Sequence, residues 1–217
     1  MNTGDTRDKR PIENILDSLR RLTEIPGPSG YEGRVRSAVL AMIEPYVDLT
    51  VIDNLGNLIA RKRTQSQNAR RIVLSAHLDE IGLIATHIDE LGFVRFTSIG
   101  GLFLRYLPGS HVRFLNGVVG VIGVNIDQGQ SKFPTLDKMF IDVGATSRQD
   151  CPVRVGDLAV YERPMVQTGG RVISRALDDR VGVAILVEVI RSLADVPNEL
   201  IFVFSVQEEM NRQGAAT

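Results

Sequence analysis

The sequence predicts an α/β domain interrupted by a small β-rich insertion, and three observations carry that prediction. Two strand-like apolar runs, 72–75 and 200–206, each lead into imidazole or carboxylate residues. A helical apolar period precedes the second run, and an apolar strand that follows a helix belongs in a central sheet covered by helices. Between the two runs lies a tract of short strand candidates separated by glycine-containing turns, the pattern of a mostly antiparallel barrel or sandwich. The expected division is 11–82 for the first part of the α/β domain, 83–169 for the insertion and 170–217 for the second part.

Taken in order, 1–10 is polar and charged and is expected to be disordered. From Pro11, a first-turn residue, Ile12, Ile15, Leu16, Leu19 and Leu22 fall at helical spacing, and Pro26-Gly27-Pro28-Ser29-Gly30 ends that helix. Ser29 is the expected N-cap of a second helix through Val35, Val39 and Ile43. Strands over 47–52 and 58–61 are joined by Asp53-Asn54-Leu55-Gly56-Asn57, a hairpin turn. The run 72–75 then reads as a buried strand ending at His77. The insertion is expected to hold strands over 83–88, 93–99, 111–115, 118–124, 139–143 and 158–161. After Gly169-Gly170 the helical period returns through Val181, Ala184, Ile185, Val189 and Leu193, followed by the strand 200–206.

The chain of 217 residues carries a net charge of −1, so nothing in its overall balance marks it for nucleic acid or an anionic membrane. Its single cysteine, Cys151, permits no internal disulfide, which fits a reducing compartment. No signal-peptide pattern opens the sequence and no apolar run is long enough to span a bilayer, so a cytoplasmic location is expected.

Three clusters fall where α/β sheets place ligand sites, at strand ends or in a loop entering a helix. His77 closes one strand with Asp79 two residues on; Asp178 and Asp179 precede a helix; Glu208 and Glu209 follow the last strand. Each has an ordinary explanation alone: a polar strand end for His77 or the glutamates, a helix cap for the aspartates. Together they have the chemistry of a divalent metal site, because imidazole and carboxylates are zinc ligands and a carboxylate can bridge two metals. Asp79 is spaced to hold the second nitrogen of His77. One of the adjacent glutamates can bind metal while the other acts on a water as general base. His87 and His111 are expected at the surface or in structural roles.

The segments 75–82 (Ser-Ala-His-Leu-Asp-Glu-Ile-Gly), 176–180 (Ala-Leu-Asp-Asp-Arg) and 207–209 (Gln-Glu-Glu) resemble the three signatures of the glutamyl aminopeptidase family, which includes the tetrahedral aminopeptidases. The resemblance runs from Ile12 to the end of the chain. It implies a three-layer α/β/α zinc-exopeptidase-like catalytic domain with an inserted PDZ-like dimerisation domain. It also implies His77, Asp178 and Glu209 as ligands of two divalent metal ions, zinc or cobalt, with Asp178 bridging. Glu208 becomes the general base, Asp79 orients His77, and Asp179 supports the site from behind. Peptides are the implied substrates, and homo-oligomers from dimer to dodecamer the implied assemblies.

Two departures from the family pattern stand out. After the glutamates this chain reads Met210-Asn211-Arg212-Gln213-Gly214-Ala215, with Asn211 where the family has glycine, a substitution that a left-handed backbone position tolerates. The sequence also stops at Thr217, before the further aspartate and histidine that complete the family's two metal sites. Two alternatives to a working aminopeptidase therefore stay open: an inactive truncated chain that serves as an oligomerisation module, and a two-carboxylate glycosidase built on Glu208 and Glu209. Adjacent strand residues point apart, which disfavours the last. A sheet ending here is expected to expose an apolar edge and face.

Overall fold

The computed structural model describes residues 10–125 and 135–216; most of the N-terminal stretch expected to be disordered, 1–9, lies outside them. Its helices are α1 (Arg10–Glu24), α2 (Gly33–Ile43) and α3 (Leu177–Ser192). The strands are β1 (Leu49–Ile52), β2 (Leu58–Lys62), β3 (Arg71–His77), β4 (Gly82–Ile88), β5 (Val94–Ile99), β6 (His111–Phe114), β7 (Val119–Val124), β8 (Met139–Asp142), β9 (Leu158–Tyr161), β10 (Val166–Thr168), β11 (Arg171–Ile173) and β12 (Glu199–Ser205). Each strand expected in the insertion is present within two residues of its expected ends.

Besides the two-stranded β10-β11 pair, two bodies of sheet result. The first has the order β1-β2-β12-β3, and the second is a closed barrel, β4-β5-β8-β7-β6-β9, whose pairs are all antiparallel. Each has its own apolar core. Leu83, Val94, Phe96, Val112, Phe114, Ile122, Met139 and Ile141 fill the barrel, while the helices and sheet share Leu22, Val39, Ile43, Leu58, Val183, Val187, Phe202 and Phe204.

Strand β12 enters the middle of the four-stranded sheet, antiparallel to β2 and parallel to β3. Its alternation decides which face is covered. Leu200, Phe202 and Phe204 are buried under the helices, whereas Ile201 and Val203 on the other face are part-exposed. The residues in register with that second face, Ile59, Val51 and Val73, are likewise part-exposed or exposed, Val73 to 61%. Among the described residues the helices lie on one face only, so the expected third layer is not found.

Two local expectations are corrected. The run 72–75 is not a buried strand: β3 is the sheet's edge, with Ile72, Val73 and Ser75 exposed, because periodicity reports an apolar face but not whether anything covers it. Ser29 does not cap α2. Glu32 occupies that position without a side-chain cap bond, and the Ser29 hydroxyl donates instead to Asp79. Strand β2 runs one residue past its expected end, to Lys62, whose ammonium donates to the Tyr46 and Leu193 carbonyls.

The β1–β2 hairpin forms as expected, and Asp53 fixes its turn by accepting the backbone N–H groups of Leu55, Gly56 and Asn57. No helix among the described residues is long and apolar enough to cross a membrane.

Candidate metal centre

His77 ends β3 with its ring largely buried. Its Nδ1 lies 3.2 Å from the Asp79 carbonyl oxygen and 3.4 Å from Asp79 Oδ1, so both backbone and side chain of Asp79 fix the ring. Its Nε2 lies 3.1 Å from Asp178 Oδ1 and 3.9 Å from Glu208 Oε2. Burial disfavours the imidazolium, but the hydrogen bond and charge of Asp79, with help from Asp178 and Asp179, outweigh it and raise the His77 pKa to about 9. An imidazole so surrounded by carboxylates sits where positive charge is favoured.

Asp79 is fully buried and is the hub of the site. Its carboxylate accepts the Ser29 hydroxyl and the backbone N–H groups of Glu208 and Glu209, each at 3.0 Å. Burial pushes its pKa upward, yet the bonds from His77, Ser29 and the two amides prevail and hold it down at about 2. One carboxylate thus fixes the turn that carries both glutamates.

Asp178 and Asp179 stand at the start of α3, where their own backbone is non-helical and the peptide bond between them is cis. Their side chains part. Asp178 is 88% exposed and meets His77, while Asp179 accepts the Gly182 N–H at 3.1 Å and the His77 N–H at 3.3 Å. Asp179 therefore caps the helix, the ordinary reading of that position, and ties it to the end of β3 as well. Burial raises the Asp179 pKa, against the His77 charge and the two backbone bonds.

Glu209 shares with Asp178 the wall of an open cavity of about 590 Å³, which Ile81, Phe103, Tyr161, Arg163 and Arg175 also line. Burial raises the Glu209 pKa, and the neighbouring Asp79, Asp178 and Glu208 carboxylates add to the rise against the charge of His77. The turn around it uses left-handed backbone at Gln207 before it and at Asn211 and Arg212 after it, so Asn211 does stand at a left-handed position. Arg212 is exposed, with its Nε 3.5 Å from Glu208 Oε1.

The sequence-identified residues are brought together: His77 contacts Asp79, Asp178, Asp179 and Glu208, and Glu209 joins Asp178 at the cavity. Among the described residues, however, no group of three or more His, Cys, Asp or Glu side chains is gathered closely enough to hold a metal ion. His77 with Asp178 fits as a ligand pair, with Glu208 next nearest. His87 and His111 are exposed residues of the barrel strands β4 and β6, in keeping with a surface position.

Several supporting residues escaped the sequence reading. Asn57 is buried, accepts the Val206 N–H and donates to Asp53 and the Gly214 carbonyl, so it joins the hairpin to the glutamate turn. Glu80, Arg175 and Arg180 form a buried charged cluster beside the site. Glu80 directly follows Asp79, and the two arginines flank the aspartate pair; that adjacency was the signal available.

The sequence profile of the family described as M42 glutamyl aminopeptidase matches residues 56–217. A provisionally named aminopeptidase of Acetivibrio thermocellus is 42% identical over 207 residues, covering 94% of this chain and 62% of its own length. The solved structure of an aminopeptidase from the archaeon Desulfurococcus kamchatkensis superposes with a TM-score of 0.89 at 35% identity, covering 96% of this chain and 60% of that one. The TET1 peptidase of Pyrococcus horikoshii, described as assembling into a tetrahedron or a large octahedral shell, gives a TM-score of 0.81 at 35% identity, covering 93% of this chain and 63% of that one. The chain spans about 60% of the length of the curated relatives it matches.

Proposed function

The chain belongs to the M42 glutamyl aminopeptidase family, and on that premise we propose that it carries the central part of a metal-dependent aminopeptidase site that removes N-terminal residues from peptides. The observation that carries the reading is the meeting of His77, Asp178 and Glu208 from three separate segments around one buried hub, Asp79.

In this reading His77, Asp178 and Glu209 would hold two divalent ions, zinc or cobalt. When bound, such ions supply Lewis-acid polarisation of the scissile carbonyl and acidify water. The remaining work falls to the chain's own groups. Glu208 takes a proton from the attacking water and returns it to the departing amine nitrogen. Asp79 keeps Nδ1 of His77 engaged, leaving Nε2 directed at Asp178. Asp179 holds the aspartate pair against the end of β3.

The barrel corresponds in this proposal to an inserted PDZ-like dimerisation domain, 83–169, between catalytic parts at 11–82 and 170–217. Assembly from dimers to dodecamers is the proposed quaternary state, supported by the assembly described for the Pyrococcus horikoshii relative. The single cysteine supports a cytoplasmic location.

A second reading, an inactive chain that serves for oligomerisation, is favoured by the absence of a three-ligand group among the described residues. One experiment separates the two: zinc and cobalt content of the purified chain by elemental analysis, with release of p-nitroaniline from a panel of aminoacyl anilides. Near-stoichiometric metal and turnover, abolished in Glu208→Gln with metal retained, is the expected result. The absence of both metal and turnover overturns the catalytic reading in favour of the second.

A further inference from the structure

Asp79 and Glu80 are neighbours at the end of β3, both buried, and they serve different loops. Asp79 takes the amides of Glu208 and Glu209. Glu80 takes Arg175: Nη1 of that arginine lies 2.5 and 2.7 Å from the two Glu80 oxygens, and the Gly27 N–H donates to Oε1 at 3.0 Å. Arg180 approaches from the other side, with Nη2 3.7 Å from Glu80 Oε1. Its Nη1 donates to the carbonyls of Leu22 and Ile25, just where α1 ends.

Arg175 lies three residues before Asp178, and Arg180 two residues after it. The connection between them includes the left-handed Ala176 and the non-helical Asp178 and Asp179, so no regular structure holds it. The Asp178 side chain is 88% exposed and, among the described residues, has His77 as its close partner. Asp179 ties the pair to the end of β3, and the anchoring of the two flanks at Arg175 and Arg180 does the rest of fixing this carboxylate in space.

We propose that Glu80 is a positioning residue that brackets Asp178 through Arg175 and Arg180 and so sets the carboxylate opposite His77. The proposal deepens the metal-site reading and rests on it only where metal is measured. Arg180 is completely buried, and its Nε and Nη2 have no hydrogen-bond partner among the described residues. A fully buried guanidinium needs a compensating anion, and Glu80 is the carboxylate at hand. The two adjacent acids thus divide the site: one places the glutamates, the other places Asp178.

The test uses Glu80→Asp, which keeps the charge and shortens the reach, with Asp79→Asn as its counterpart. Amide hydrogen exchange is followed by mass spectrometry in two peptides of the full chain, one over 174–180 and one over 206–213. Glu80→Asp is expected to speed exchange in the first by about tenfold or more and leave the second unchanged, with the reverse pattern for Asp79→Asn. Equal acceleration in both peptides, or none in either, overturns the proposal. Should Glu80→Asp fail to fold, Arg175→Lys is judged by the same two peptides.

A cobalt titration adds the functional arm. Glu80→Asp should weaken cobalt binding by about tenfold in the parent chain and by nothing further in Asp178→Ala, because it acts through that carboxylate. An undiminished effect in Asp178→Ala overturns the proposal. No cobalt binding by the parent chain defeats the metal-site reading and leaves hydrogen exchange to decide the positioning role.

Discussion

His77 Nε2 and Asp178 Oδ1 stand 3.1 Å apart, joining the end of an edge strand to the loop that opens α3. Because the Asp178 side chain is 88% exposed, its removal costs the fold little while taking away an expected metal ligand. Asp178→Ala should change unfolding free energy by no more than about 0.5 kcal/mol and weaken cobalt binding by at least about tenfold. Urea denaturation and isothermal titration on the same preparation check both; a large stability loss would give Asp178 a structural role instead.

Asp79 offers the opposite combination. Asp79→Asn puts an amide NH₂ among donors, facing the Ser29 hydroxyl and the Glu208 and Glu209 N–H groups. The expected loss is about 2–3 kcal/mol of stability, the scale of a buried charged acceptor left unmatched. Equilibrium unfolding in urea measures it, and a change near zero would show that the hub is dispensable to the fold.

Gly214 closes the glutamate turn where a Cβ would sit 2.1 Å from the Val206 carbonyl oxygen and 2.5 Å from Asn57 Oδ1. Backbone cannot yield there as a flexible side-chain end could. Gly214→Ala should cost about 1–3 kcal/mol, as overpacking does. Gly101→Ala, with nothing within 4 Å of its Cβ position, is the control and should stay within about 0.5 kcal/mol in a thermal melt.

Asp150 lies in a turn of the chain between β8 and β9, where it accepts the Thr146 hydroxyl and the N–H groups of Thr146 and Ser147. The Thr146 hydroxyl and the Ser147 amide, against slight desolvation, lower its pKa to about 2. A lowered folded value means that this carboxylate's contribution is present above about pH 4, its unfolded range, and is lost as pH falls towards 2. Carboxyl carbon shifts followed by NMR should titrate near 2, and an ordinary midpoint would show that the turn does not form.

The uncovered sheet face predicts association. Val73→Lys places a charge among Val51, Ile59, Ile201 and Val203, where nothing in the described chain covers them. Sedimentation velocity should show concentration-dependent association of the parent chain that the substitution reduces. A parent chain that stays monomeric throughout would mean that the face is stable in water.

Strand positions were legible because apolar alternation and turn glycines are local properties: the six barrel strands and β12 fall close to where periodicity puts them. The members of the candidate site were legible in part, since His77, Asp178 and Glu208, singled out by their side-chain chemistry, do come together. What was not legible depended on distant chain. Nothing near Val73 says that β3 is an edge, nothing near Ser29 says that Asp79 competes for its hydroxyl, and Arg180 looks like any solvated arginine until α1 closes over it. Asn57 reads as a turn residue, yet its side chain reaches Val206 and Gly214 across the fold.

The insertion of β12 between β2 and β3 has a consequence for the order of assembly. Among the described residues the sheet neighbour of β3 is β12, more than a hundred residues later in the chain, whereas the strands of the barrel are complete at Tyr161. The barrel can therefore close on the ribosome while β3 waits unpaired, and the four-stranded sheet is the late, slow step set by long-range loop closure.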